Sequence, residues 1–281
     1  MKELVVAIDF SQSSLHALEA AVKIAERVGA RVNMIWVEKP ETLDSLYENK
    51  PGEIREEAKQ RLKEISEQYK DGLKKNKISF KLKKGKVYQE VVNYAKFIEA
   101  DLIIIGTHGS SGYEEFMMGS NSYRIVTHAS CPVLSIRYDF PVERNIKKIV
   151  VPIDNTAETK QKVPYTAEFA KKIDAEIYIL ALYPAKIKTL QRKVDESVRQ
   201  VTDYLGRMDI VFTTESRIAD FYSSTTIKYA EEIGADIISI MTEQNKTAAN
   251  YLLGPYAQHM VCHSPIPVLS IQPGEEAKSL I

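Results

Sequence analysis

The sequence holds only two cysteines, Cys131 and Cys262, one tryptophan and no net charge in 281 residues. Two thiols cannot supply a disulfide framework or the paired pairs of a structural zinc site. Both lie beside apolar residues near the ends of predicted helices and read as buried, unreactive thiols. Charge of one sign is missing too: 38 basic residues face 38 acidic ones, and each half is close to balance. Nucleic acid is therefore excluded as the main partner, because phosphate-backbone affinity needs concentrated Lys and Arg. The runs Lys74-Lys75 and Lys81 to Lys86 read as solvated faces. Long hydrophobic runs are also lacking. The opening "MKELVVAIDFS" is too short an apolar stretch for a signal-peptide core or a membrane span, so a cytoplasmic chain without membrane attachment is expected.

Recognisable catalytic motifs are absent as well. There is no Walker A sequence, no Gly-x-Gly-x-x-Gly turn, no His-Glu-x-x-His and no nucleophile elbow. Among the five histidines, His108 falls in a loop. His128 and His263 take matching places near helix ends, where imidazolium meets a C-terminus favourably. His16 and His259 have no evident partner. No catalytic residue and no protein cage for a metal is assigned, and slow ATP hydrolysis is the most catalysis expected. The tyrosines are scattered, as core and edge packing requires, with no base-stacking platform.

What is present is an ordinary globular composition, 44% hydrophobic and 27% charged, and an internal repeat. "LVVAIDFSQSSLHALEAAVKIAERVGARVNMIWV" lies over "IVVPIDNTAETKQKVPYTAEFAKKIDAEIYILAL" without a gap, Asp9 falling on Asp154. "EADLIIIGTHGSSGYEEFMMGSNSYRIVTHASCPVLSIR" likewise lies over "GADIISIMTEQNKTAANYLLGPYAQHMVCHSPIPVLSIQ", pairing Asp101 with Asp236, Gly119 with Gly254 and His128 with His263. Residues 138–147, "YDFPVERNIK", carry boundary composition and divide domains 1–140 and 146–274.

Within the first copy, "LVVAI" reads as a strand buried on both faces. A helix follows, with apolar spacing through Leu15, Leu18, Val22 and Ala25, N-cap hydroxyls at Ser11 and Ser13, and a stop at Gly29. Next come a strand "RVNMIWV", a helix from Glu53 to about Lys75, the alternating strand "ISFKLK", a helix from Val87 to Glu99, the strand "DLIII", a helix from about Ser120, and "PVLSIR". Alternation of this kind gives an α/β domain whose parallel sheet is covered by helices on both faces. Residues 38–52, the longest irregular stretch, read either as a lid or as a plain connection.

In open parallel sheets ligands sit beyond the carboxyl ends of the strands. "GTHGSSGYEEFMMGSNS" leaves such an end. Gly106 and Gly109 would allow close backbone approach, and a helix opening at Gly119-Ser120 would favour an anion. Glycine-rich spacing by itself describes a flexible turn as well as a phosphate cradle.

Asp9 after the first strand, Gly106-x-x-Gly109, nine residues, Gly119-Ser120 and the closing "CPVLSIR" together resemble the universal stress protein family, once per half. The resemblance implies tandem five-stranded sheets of order 3-2-1-4-5, the adenine nucleotide alpha hydrolase-like architecture, and a stress-response protein that binds ATP or AMP. It places Asp9 and the Val37 backbone at the nucleoside and Ala7 near the ribose. Gly106 and Gly109 would pass under the ribose and phosphates, and Gly119, Ser120, Asn121 and Ser122 would receive the phosphates. Mg²⁺ or Mn²⁺ would be carried on the phosphates. It further implies an intramolecular pseudo-dimer through "VLSIR" and "VLSIQ", with a homodimer as a further step.

Two departures bear on the ligand: carboxylates at Glu114 and Glu115 inside the loop, and Asn121 in place of a small aliphatic residue. The first would turn the site from ATP toward AMP, a cyclic nucleotide or no anion. In the second copy Met241 and Gln244 replace the leading glycines and Pro255 replaces the serine, so the helix is expected to survive while the cradle does not. The function expected is regulatory binding in the first domain. A nucleotide-free interaction module and a weak ATPase are the alternatives.

Overall fold

The computed structural model describes residues 1–38, 52–69, 72–73, 77–107, 118–143, 145–242, 244–247 and 250–273. The chain divides into two compact units, Met1–Tyr138 and Asp139–Ile281.

In the first unit the strands are β1 (Glu3–Ile8), β2 (Arg31–Glu38), β3 (Ile78–Lys84), β4 (Leu102–Gly106) and β5 (Val133–Ile136). They pair in parallel in the order β3-β2-β1-β4-β5. The helices are α1 (Gln12–Val28), α2 (Glu53–Gln68), α3 (Val87–Phe97) and α4 (Ser120–His128). The apolar, β-branched runs of β1 and β4 are sealed on both faces: Leu4, Val5, Val6, Ile103 and Ile104 have no exposed surface. Burying one such side chain contributes about 2 kcal/mol. Edge strand β3 alternates part-buried and exposed positions over its first five residues, as "ISFKLK" implies.

Helix α1 starts at a Ser11 N-cap, whose hydroxyl accepts from the Ser14 N–H, and stops at Gly29 in the left-handed region, φ 71°. The expected helix beyond Glu53 ends at Gln68, short of Lys75, because the chain turns and brings Gly72 against α1; a Cβ there would lie 2.6 Å from Glu26 Oε1. Likewise α3 closes at Phe97, and Glu99 takes φ 52°.

The second unit repeats the scheme with β6 (Lys148–Ile153), α5 (Val163–Ile173), β7 (Glu176–Tyr183), α6 (Lys188–Arg207), β8 (Phe212–Ile218), α7 (Tyr222–Glu232) and β9 (Ile237–Met241). It continues with β10 (Gln244–Thr247), β11 (Asn250–Leu253), α8 (Pro255–His263) and β12 (Val268–Ile271). Its parallel order is β8-β7-β6-β9-β12, so each unit has the 3-2-1-4-5 arrangement. One matched pair of aspartates does the same work in both. Asp101 Oδ2 accepts the N–H groups of Lys2 and Glu3 at 2.5 and 2.9 Å, and Asp236 Oδ2 accepts those of Lys147 and Lys148 at 2.8 and 2.9 Å. Each pins the start of its unit's first strand beside the fourth.

Candidate functional site

The carboxyl ends of β1 and β4 lie side by side in the first sheet, where a ligand of an open parallel sheet would sit. Asp9 follows β1 directly. Its Oδ1 accepts from the Ser11 N–H at 3.0 Å and the Ser11 hydroxyl at 2.5 Å, while Ser14 Oγ accepts the Asp9 N–H at 3.3 Å. This closed turn delivers the chain into α1. Between the two sits Phe10 at φ 63°, a left-handed conformation that a bulky residue rarely adopts. The Arg61 guanidinium lies 4.4 Å from its ring centroid. Strain of this kind concentrates at functional sites, and sequence reading passed over Phe10, which only the φ angle singles out.

Gly106 closes β4 for a reason the sequence did not show. A Cβ there would stand 2.3 Å from Ser13 Oγ and 2.7 Å from the Ser13 carbonyl oxygen, so the first turn of α1 packs directly onto the glycine. Thr107 then receives the Gly119 N–H on its carbonyl at 2.7 Å, and Ser122 Oγ donates to the Gly106 carbonyl at 2.8 Å. The end of β4 and the start of α4 are thereby fixed together. The Gly119 N–H is committed within the fold, so the donors open to an anion begin at Ser120. Helix α4 has no side-chain cap bond and no acidic residue in its first turn, an electropositive end suited to negative charge.

Ala7, although on the central strand, is part-exposed, Asp9 is exposed, and Val37 is 9% exposed at the end of β2. Ala7, Asp9, Val37, Gly106, Gly119, Ser120, Asn121 and Ser122 thus all fall at strand carboxyl ends or on the first turn of α4. Gly109, His108, Glu114, Glu115 and positions 39–51 of the suggested lid lie outside the described residues.

The matching residues of the second unit are less exposed. The turn persists, with Asp154 Oδ1 accepting from Thr156 N and Oγ1 at 2.8 and 2.6 Å and Thr159 Oγ1 accepting the Asp154 N–H at 3.0 Å. Pro152, matching Ala7, is buried, and Leu182, matching Val37, is 1% exposed. Met241 stands where Gly106 does and is itself buried. Pro255 opens α8 as expected, and the β10–β11 hairpin stands between β9 and that helix.

Lys162 is 2% exposed and donates to the Thr159 carbonyl. Burial pulls its ammonium down to about 8, and the Asp154 carboxylate opposes that shift. Tyr222 donates to Asn155 Oδ1 at 3.0 Å, and Tyr256 lies 3.5 Å from Thr226 Oγ1. Burial, with Asp154 nearby, raises both phenols above their ordinary value.

The histidines near helix ends are structural as expected: His128 Nδ1 meets the Arg124 carbonyl at 2.8 Å and His263 Nδ1 the His259 carbonyl at 3.1 Å. His16 and His259, left without partners by the sequence, lie 3.9 Å from Glu19 and stacked on His263 respectively. Cys131 is part-buried, and its thiol is pushed up to about 12 by burial, as an inert thiol requires. Among the described residues no helix is long and apolar enough to cross a membrane.

The profile of the universal stress protein family matches residues 1–137 and 145–272. Universal stress protein MJ0531 of Methanocaldococcus jannaschii is 31% identical over 142 residues, covering 48% of this chain and 82% of its own length. Universal stress protein YxiE of Bacillus subtilis is 33% identical over 145 residues, covering 48% of this chain and 98% of its own. A universal stress protein of Archaeoglobus fulgidus superposes with a TM-score of 0.79 at 19% identity, over 97% of this chain and 98% of that one.

Proposed function

The chain belongs to the universal stress protein family, and on that premise we propose that its first domain is a regulatory site for an adenine nucleotide, ATP or AMP, while its second domain holds none. The observation that carries this reading is the contrast at one place in the fold. Ala7 is part-exposed and Asp9 exposed above β1, whereas their counterparts Pro152 and Asp154 are buried and part-buried. Asp9 and the Val37 backbone would hold the nucleoside, Ala7 would lie near the ribose, and Gly106 and Gly109 would underlie the ligand. The N–H groups of Ser120, Asn121 and Ser122 would meet the phosphates.

The residues fit such an anion, since the first turn of α4 brings donors and no carboxylate. Mg²⁺ or Mn²⁺, when bound, neutralises charge on the phosphates. The role is one of occupancy: the ligand joins the ends of β1, β2 and β4 to the start of α4, and that surface is what a partner in a stress response would read.

The test is mass spectrometry of nucleotide released from freshly purified protein, with titration of the full chain by ATP, AMP and cyclic AMP in the presence of Mg²⁺. Saturable binding that Asp9→Asn weakens supports the reading. If no adenine nucleotide binds at millimolar concentration, the domain is an interaction module instead.

A further inference from the structure

We propose that the outer edge of β8 is a docking surface for a second copy of this chain, the two β8 strands pairing antiparallel about a two-fold axis at Ser216. Among the described residues β8 pairs with β7 alone. The Val211 carbonyl accepts the Ile177 N–H at 3.0 Å, and the Ala219 N–H donates to the Tyr183 carbonyl at 2.9 Å. Successive residues of a strand direct their backbone groups to opposite sides. The odd-numbered residues from Val211 to Ala219 therefore face β7, and Phe212, Thr214, Ser216 and Ile218 turn their N–H and C=O groups outward. Those outward groups meet no partner among the described residues. Such an edge is a template for another strand.

The residues along the edge identify the occupant. A two-fold contact sets residue i against residue j and j against i, so the surface must complement itself. With the axis at Ser216, Ser216 meets its own copy and Thr214 meets Ile218. All of these are outward-turned, so the hydrogen bonds are in phase. Glu215 then meets Arg217, twice, at the non-hydrogen-bonded positions where side chains approach most closely and opposite charges attract. Within one chain Arg217 already stands 2.7 Å from Glu215 Oε1 and 3.4 Å from Glu232 Oε2, which puts the charges on one face of the strand. An axis at Glu215 or Arg217 would set like charges together, and one at Thr214 or Ile218 would leave the two charges opposite neutral residues. The Ser216 register also brings Val211 of each copy to the end where Phe221 of the other stands. These two and Ile218 are 70%, 76% and 72% exposed, apolar surface that the contact covers.

Edge strand β3 of the first unit offers no such match. It carries Lys81, Lys83 and Lys84 and no carboxylate, so pairing with its own copy brings like charges together, a common protection of sheet edges. The docking surface therefore belongs to the second unit, and the inference is independent of the nucleotide reading.

The experiment is sedimentation velocity of the full chain over a range of concentrations, with oxidative cross-linking of edge variants in a Cys131→Ser, Cys262→Ser background. A concentration-dependent dimer is expected. Arg217→Glu sets like charges opposite each other twice and should weaken association about tenfold. Glu215→Arg combined with Arg217→Glu reverses the pair and should restore it. Ser216→Cys should cross-link, because opposed hydrogen-bonded residues have Cα atoms about 5.5 Å apart, within reach of a disulfide. Thr213→Cys should not, since its copy would lie about 20 Å away along the strands. The proposal is overturned if the chain stays monomeric at millimolar concentration or if Arg217→Glu leaves association unchanged, which would place the dimer contact elsewhere. Failure of the double exchange to restore association, or equal cross-linking by both cysteine variants, overturns it as well.

Discussion

Helix α1 runs for 17 residues from Gln12, whereas its counterpart α5 runs for 11 from Val163, and both end at equivalent positions, Val28 and Ile173. The missing residues are all at the start, where Ala157 to Lys162 form bends and turns instead of helix. The difference coincides with one on another strand. Gly106 accommodates the first turn of α1 at a distance no Cβ permits, and at the matching position Met241 is buried. A glycine at the end of the fourth strand is thus tied to a full-length first helix, and a methionine to a shortened one. The turn segment before α5 also carries Lys162, which is buried with the Asp154 carboxylate nearby.

The comparison breaks most visibly if a side chain is forced onto Gly106. Gly106→Met should destabilise the first domain by about 3 kcal/mol, the upper range for overpacking, because Ser13 backbone atoms and not a flexible tip must move. Trp36, the single tryptophan, lies in β2, so its fluorescence during urea unfolding reports this domain alone. Nucleotide affinity should fall with it. An unshifted Trp36 transition would show that α1 tolerates a side chain there and that Met241 does not explain α5.

Next in size is Lys162, whose folded-state pKa of about 8 lies below the ordinary lysine value of 10.5. Below pH 8 both folded and unfolded chains carry the proton, and folding bears the whole cost of the buried charge. Between pH 8 and 10.5 the unfolded chain holds more protons, so stability rises with pH. Lys162→Met should therefore stabilise the second domain by about 2 kcal/mol at neutral pH, and the gap should close as pH approaches 10.5. Hydrogen exchange in α5 measures it, and a gap independent of pH would mean that the ammonium is not desolvated.

These features mark where sequence reading stopped. The gap-free repeat exposed both sheets, because strands buried on two faces leave continuous apolar runs and helices leave spacings of three and four. It also brought Asp9, Gly106 and the Gly119–Ser122 turn to one end of the sheet, since that follows from topology. The shortened α5 was not legible. "TAETKQK" contains good helix formers, so local propensity gives no sign that the helix starts late. A charged Lys162 aligned with buried Ala17 was the available signal. Gly106 was read as room for a ligand; that it also makes room for Ser13 depends on a helix-to-strand distance no local pattern encodes.

The aspartates separate structural from binding roles. Each builds the same turn, so Asp9→Ala and Asp154→Ala should each cost about 1.5 kcal/mol, the worth of hydrogen bonds to a charged group. Asp154→Ala should cost the more, because it also deprives Lys162 of its nearby opposite charge. Only Asp9→Ala should weaken nucleotide binding. Equal loss of affinity from both substitutions would show that the second crevice is in use.

The smallest effect isolates the helix start itself. Ser11 and Thr156 hold equivalent places and make the same pair of bonds to their aspartates. Only Ser11 also caps a helix, accepting the Ser14 N–H at 3.2 Å, because α5 begins later, after Lys162. Ser11→Ala should cost about 1 kcal/mol, the usual worth of an N-cap, read from the Trp36 transition. Thr156→Ala loses a turn bond near the surface and should cost about 0.5 kcal/mol, the low end for a hydrogen bond, read from hydrogen exchange in α5. If the two costs are equal, the helix begins at the same place in both domains in solution, and the link between Met241 and the shortened helix fails with it.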